Sequence, residues 1–167
     1  MTDYSAPEGT AIGHVHLRVS DLDRSIAFYG DLLGFSLQQK FGDEAAFLGA
    51  GGYHHHIGLN TWSSRNGPPT PPGHAGLYHA AILYPDNQSL AVAVKRVLDA
   101  GIDVYGAADH GVSIAFYFDD PDGNGIEVYA DRHPDEWPRN DAGELAMNNQ
   151  KIDVAQFIQR NIDQSMS

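Results

Sequence analysis

The succession of elements legible in residues 12 to 62 can be read again in residues 75 to 131, and an internal repeat restricts a fold more than any single motif does. IGHVHLRV (residues 12–19) alternates, with Val15, Leu17 and Val19 on one face and His14, His16 and Arg18 on the other, as in a half-buried strand. In SDLDRSIAFYGDLLGF the apolar Leu22, Ile26, Tyr29 and Leu33 recur at helical spacing. That spacing predicts an amphipathic helix, capped at Ser20 or Asp21 and stopped at Gly34. Strand-like runs follow at SLQQKF, AAFLG and HHHIGLNTW. SSRNGPPTPPGH, with four prolines and two glycines, supports neither strand nor helix and reads as a linker. GLYHAAILY then predicts a strand and DNQSLAVAVKRVLDAG a helix with Gly101 as its stop. IDVYGA, GVSIAFYFD and GIEVYAD predict three more strands. Gly34 and Gly101 are 67 residues apart and His14 and His79 are 65 apart, a near-constant offset. The expectation is an α+β fold of two paired βαβββ modules at 11–62 and 75–131. A Pro-rich linker at 63–74 joins them, and an extension at 132–167 includes a short helix in IDVAQFIQRNI.

If each module buries its apolar face under its own helix, the opposite faces are free to line a shared cleft. His14 and His79 hold matching places, HVHLRV against HAAILY, and both would face it; in GIEVY the alternation puts Glu127 there as well. A strand histidine taken alone is usually a solvated or hydrogen-bonded residue, and a strand glutamate is usually exposed. Their joint placement at corresponding corners of a duplicated unit is what argues for a ligand set. Two imidazoles and one carboxylate suit non-haem Fe(II), with Mn, Zn, Co or Ni also accommodated. The chain has no cysteine, so any metal is held by nitrogen and oxygen, and disulfides and thiolate chemistry are excluded. Ten Lys and Arg against 22 Asp and Glu give a net charge of −12, which argues against nucleic-acid and membrane-surface partners. No run of apolar residues is long enough to span a bilayer, and MTDYSAPEGT has no signal-peptide pattern, so a cytoplasmic protein is expected.

IGHVHLRVSDLDRSIAFYGDLLGF, YHAAILY and DPDGNGIEVY together resemble the vicinal oxygen chelate superfamily of glyoxalases, bleomycin and fosfomycin resistance proteins and extradiol dioxygenases, over residues 11 to 131. YHHHIGLNTW, ADHGVS and DPDGNGIEVYADR are further similar to its catechol 2,3-dioxygenase-like branch. The resemblance implies that the modules form a cup-shaped mixed sheet around a metal cleft with the helices outside, and it carries the ligand roles onto His14, His79 and Glu127. Metal-dependent glyoxalases of this superfamily use a fourth protein ligand, and aligning HIGLN with GIEVY puts Gly58 at that place. Glycine cannot ligate. Three ligands leave adjacent positions open for a bidentate substrate and dioxygen.

Continued alternation through HHHIGLN would put His54, His56, Gly58 and Asn60 on the cleft face and His55, Ile57 and Leu59 toward the helix. On that basis His56 is a candidate acid or base and Asn60 a candidate substrate contact. Tyr117 precedes Glu127 by ten residues, a spacing that resembles the substrate-binding tyrosine of ring-cleaving dioxygenases, and His110 in ADHGVS is within reach of the cavity mouth. DPDGNG is most simply a tight turn rather than a calcium loop. The expected function is an Fe(II)-dependent extradiol dioxygenase acting with dioxygen on a catechol-like diol or another oxygen-chelating substrate. The modules pair within one chain or by exchange in a homodimer. The alternatives are a glyoxalase- or fosfomycin-resistance-like metalloenzyme and a non-catalytic small-molecule binding protein of the same fold.

Overall fold

A computed structural model describes residues 4–162. They fall into two compact units, residues 4–30 with 34–67 and residues 31–33 with 68–162. In the first unit β1 (Val15–Arg18) leads into a short helix α1 (Leu22–Ile26) that widens into a π-helical stretch at Ala27–Leu32; β2 (Ser36–Phe41), β3 (Ala45–Gly49) and β4 (Ile57–Asn60) follow. The Asp21 side chain accepts from the Arg24 N–H and caps α1, and Gly34, at φ +87°, turns the chain out of the helix. The sheet order is β1-β4-β3-β2, with β1 parallel to β4 and the other pairs antiparallel.

The second unit repeats this with β5 (Ala80–Leu83), α2 (Asn87–Asp99), β6 (Gly106–Asp109), β7 (Ser113–Asp119) and β8 (Gly125–Asp131). Its order is β5-β8-β7-β6, again with only the first pair parallel. Two further elements complete it. A two-residue strand β9 (Gln150–Lys151) adds to the free side of β6, and α3 (Val154–Ile162) packs on α2. Identical strand order with one parallel pair in each unit is the structural signature of the duplication.

Each unit has its own core. Leu17, Val19, Leu22, Tyr29, Leu48 and Leu59 fill the first, and Leu90, Val94, Val97, Phe116, Phe118, Ile126 and Val128 the second. Alternation in β1 comes out as its sequence requires, since Leu17 and Val19 are buried while His14, His16 and Arg18 are exposed. The Phe157 ring of α3 lies 4.9 Å from Phe116, so the C-terminal helix extends the second core. Among the described residues no helix is long and apolar enough to cross a membrane.

Candidate metal centre

In the second unit strand register assembles four of the expected side chains. Parallel pairing of β5 with β8 sets Ala81 beside Glu127, so His79, two residues earlier on the same face, also meets Glu127; its Nε2 is 2.8 Å from Oε2. Antiparallel pairing sets Tyr117 directly opposite Glu127, and the Tyr117 hydroxyl donates to Oε1 at 3.1 Å. The same hydroxyl is 2.8 Å from His110 Nε2. A continuous chain thus runs from His79 through Glu127 and Tyr117 to His110. Glu127 is only 9% exposed, an expensive place for a carboxylate unless both oxygens are engaged, as they are. Burial, and then the charge of Glu127, push the Tyr117 pKa upward, so its phenol stays protonated at neutral pH.

Two glycines make room for this arrangement. Gly106 lies opposite Tyr117 on β6, where a Cβ would stand 3.0 Å from the ring, closer than side chains ordinarily pack, so the ring would have to give by a few tenths of an ångström. Gly111, at φ +78°, forms the β6–β7 turn that carries His110, and its N–H donates to Asp109 Oδ1. Asp109 in turn pairs with Arg132 at 2.6 Å. Neither glycine is distinguishable from an ordinary loop glycine in the sequence. DPDGNG is a turn, as expected: Asp120 accepts from the backbone of Asp122 and Asn124 and from the Asn124 amide.

In the first unit the structure corrects the assignment of faces. The pleat of β4 begins only at Ile57, because Gly51 and Gly52 take positive φ in a tight turn and the Tyr53 carbonyl folds back over Gly49, where a Cβ would meet it at 2.2 Å. Alternation therefore does not extend through the three histidines. His55, expected on the helix side, has its ring 4.5 Å from His14 and 5.0 Å from Phe47. His56, expected beside the metal, instead packs on Tyr53 and Phe35 and accepts the Ala50 N–H at Nδ1. His54 and His55 bring their Nδ1 atoms to 2.7 Å. Burial, and then the charge of His14 ahead of its other histidine neighbours, hold His55 below its ordinary pKa. His16 is lowered by burial and then by His14. Asn60 is buried, and its Oδ1 accepts the Trp62 N–H, which closes the end of β4.

Gly58 is bare for a local reason. It pairs with His16 across β1 and β4, and a Cβ there would meet the His16 ring at 2.9 Å. That ring is packed between Phe47 and Trp62. No side chain at position 58, ligand or otherwise, fits without moving it.

Within neither unit do three His, Asp or Glu side chains among the described residues gather around one point. The nitrogen of His79 and the oxygen of Glu127 do converge. Tyr117 occupies the other carboxylate oxygen, so the pair presents one imidazole and one carboxylate donor of the type a divalent ion takes.

Residues 11–128 match the model of the Glyoxalase/Bleomycin resistance protein/Dioxygenase superfamily. The chain is 46% identical over 101 residues to a catechol-2,3-dioxygenase of Bacillus subtilis (strain 168), covering 60% of this chain and 35% of that one. It is 28% identical over 120 residues to biphenyl-2,3-diol 1,2-dioxygenase 3 of Rhodococcus globerulus, covering 72% and 63%. The chain thus spans between about a third and just under two thirds of the length of these relatives. Among solved structures, a glyoxalase/dioxygenase from Nostoc punctiforme shares the fold with a TM-score of 0.62 at 22% identity, over 80% of this chain and 99% of that one.

Proposed function

The chain belongs to the glyoxalase/bleomycin resistance protein/dioxygenase superfamily, and on that premise we propose that it is an Fe(II)-dependent, extradiol-type dioxygenase acting on a catechol-like diol. The observation that carries this reading is the linked chain His79–Glu127–Tyr117–His110, which joins two metal-type donors to a protonated phenol and an imidazole. The ring-cleaving relatives support it by name, and bare Gly58 speaks against a fourth protein ligand.

In this reading His79 and Glu127 hold the metal, with His14 as the further ligand that the motif resemblance implies. Fe(II), when bound, would supply the chelating centre for the two diol oxygens and the electron density that activates dioxygen. The protein supplies the rest. Tyr117 fixes the Glu127 carboxylate by donating its one hydroxyl hydrogen to Oε1, and it would donate to an anionic substrate oxygen only by giving up that bond. His110 stands behind that hydroxyl as its proton partner. In place of His56 we assign the base role to His55, whose ring lies 4.5 Å from that of His14. Phe47 offers apolar, aromatic surface beside it, and Trp62 lies against the neighbouring His16.

The test is oxygen uptake by anaerobically Fe(II)-loaded protein across a panel of diols, with metal content verified and appearance of the yellow ring-opened product followed. Uptake with product formation is expected. Full metal content without oxygen consumption on any diol would overturn the reading in favour of an isomerase, a transferase or a binding protein.

A further inference from the structure

Three side chains of the first unit stand in a line. Alternation puts His14, His16 and Arg18 on the exposed face of the β1 strand and its lead-in, while Leu17 and Val19 are buried. The middle of the line is a flat aromatic floor. The His16 ring lies over bare Gly58, with the Phe47 ring 5.8 Å and the Trp62 ring 5.7 Å away. Trp62 is 63% exposed, a large aromatic surface that the described residues leave uncovered.

Arg18 closes the line, paired in register with Asn60, two residues before Trp62. Most other cations of the chain are committed. Lys40, Lys95 and Arg132 pair with Asp23, Asp99 and Asp109, and Arg65, Arg96 and Arg139 donate to backbone carbonyls. Among the described residues Arg18 makes no ion pair and no hydrogen bond, although the chain carries 22 Asp and Glu. Its planar fork of N–H donors is therefore open to a carboxylate, which it can take two bonds at a time. A strand advances about 3.3 Å per residue, so His14 and Arg18 are about 13 Å apart along the chain direction. A benzene ring with a diol on one side and a carboxylate on a short tail opposite is shorter than that, and the flexible arginine stem closes the difference.

We propose that Arg18 is a specificity-determining residue for a negatively charged substituent, and that the substrate class of this site is an aromatic diol bearing a carboxylate, its ring over His16 and its anion on the guanidinium. This assignment deepens the dioxygenase reading and rests on it for the diol alone; recognition of the carboxylate is a property of the metal-free first unit. A protein of net charge −12 repels anions at long range, so an anionic ligand needs a cation at close quarters.

Two measurements on the full-length protein test this. The first compares 3,4-dihydroxyphenylacetate with neutral 4-methylcatechol by anaerobic calorimetry on Fe(II)-loaded protein. Wild type should bind the acid roughly tenfold more tightly. Arg18→Gln should lose the preference, and Arg18→Lys should keep part of it, since lysine retains the charge without the fork. The second measurement uses metal-free protein and a ligand with no diol. Phenylacetate should shift the indole N–H signal of Trp62 and leave that of Trp137, which donates to the Arg132 carbonyl, in place. These are the two tryptophans of the chain, and Trp62→Phe assigns them. Benzyl alcohol at the same concentration should move neither, and Arg18→Gln should abolish the phenylacetate shift. An equal or reversed preference in wild type would overturn the proposal, as would a preference or a Trp62 shift that survives Arg18→Gln. A Trp62 signal unmoved by phenylacetate would overturn it whatever the diols do. If neither diol binds the loaded protein while phenylacetate still moves Trp62 through Arg18, the dioxygenase reading falls and the anion site stands.

Discussion

Across the first sheet one row of residues runs His16, Gly58, Phe47, and across the second the corresponding row runs Ala81, Glu127, Tyr117. The backbones are the same and the distribution of volume is reversed. Where the first unit puts a large ring on its parallel neighbour strand it has glycine in the middle, and where the second has a small alanine there the middle position holds a carboxylate. On the third strand Phe47 stands where Tyr117 stands, without the hydroxyl that fastens Glu127. The difference teaches that a repeated topology supplies equivalent positions but not equivalent roles. The second unit uses its central position to aim an anion; the first fills it with the side of an imidazole.

The hardest blow to this contrast falls on the anion. Glu127→Ala or His79→Ala should lower metal affinity more than about 100-fold, by elemental analysis after dialysis, because each removes a donor rather than a supporting bond. Unchanged metal content in both variants would leave the second unit without its distinguishing task. Exchanging two neighbours in the first unit sharpens the comparison next. His55→Phe should slow diol turnover by roughly 10²-fold with metal retained. His56→Phe should spare turnover and cost about 1 kcal/mol in urea unfolding, since it removes the acceptor of the Ala50 N–H. The opposite result would restore His56 to the role that strand alternation gave it.

Volume reversal can be tested directly. Gly58→Glu alone should destabilise by about 1–3 kcal/mol, because its Cβ drives into the His16 ring. Adding His16→Ala, which copies the second unit's arrangement, should return a good part of that loss. Simple additivity in the double-mutant cycle would mean that the two positions are not coupled. The smallest effect concerns a feature both units share, an aspartate cap on the helix. Asp86 accepts the Ser89 N–H at 2.7 Å, and that bond holds its carboxyl below the ordinary value. A pKa depressed on folding stabilises above the unfolded value and is lost as pH falls through the folded one. Asp86→Ala should therefore cost about 1 kcal/mol at neutral pH, and the gap to wild type should close on acidification below the carboxylate range, as urea midpoints would show.

Much of this was legible in the residues alone. The repeat, the order of elements, the helix stops at Gly34 and Gly101 and the inward faces of β1 and β8 follow from periods of 2.0 and 3.6, which are properties of short stretches. The meeting of His79, Tyr117 and Glu127 was accessible too, because all three sit in or beside uninterrupted strands whose alternation counts correctly. Counting failed at His54–His56, where two glycines with positive φ turn the chain before the strand begins, so that one residue of slip exchanges the faces of His55 and His56. Gly106 and Asn148 were invisible for a different reason. One matters because of a ring on another strand, and the other meets His110 through its backbone, which every residue has.

Strand β9 has a bearing on how this protein behaves in concentrated solution. The outer strand of the first sheet, β2, is exposed along its length, but it carries a register irregularity between Leu37 and Gln39 and a lysine at position 40, both of which discourage another chain from adding to it. Strand β6 has neither device: Gly-Ala-Ala-Asp is small, regular and without a lysine, and β9 covers it instead. A chain shortened before residue 150 would present that strand bare. Its solubility should then fall with concentration through edge-to-edge association, even where the core of the second unit is intact.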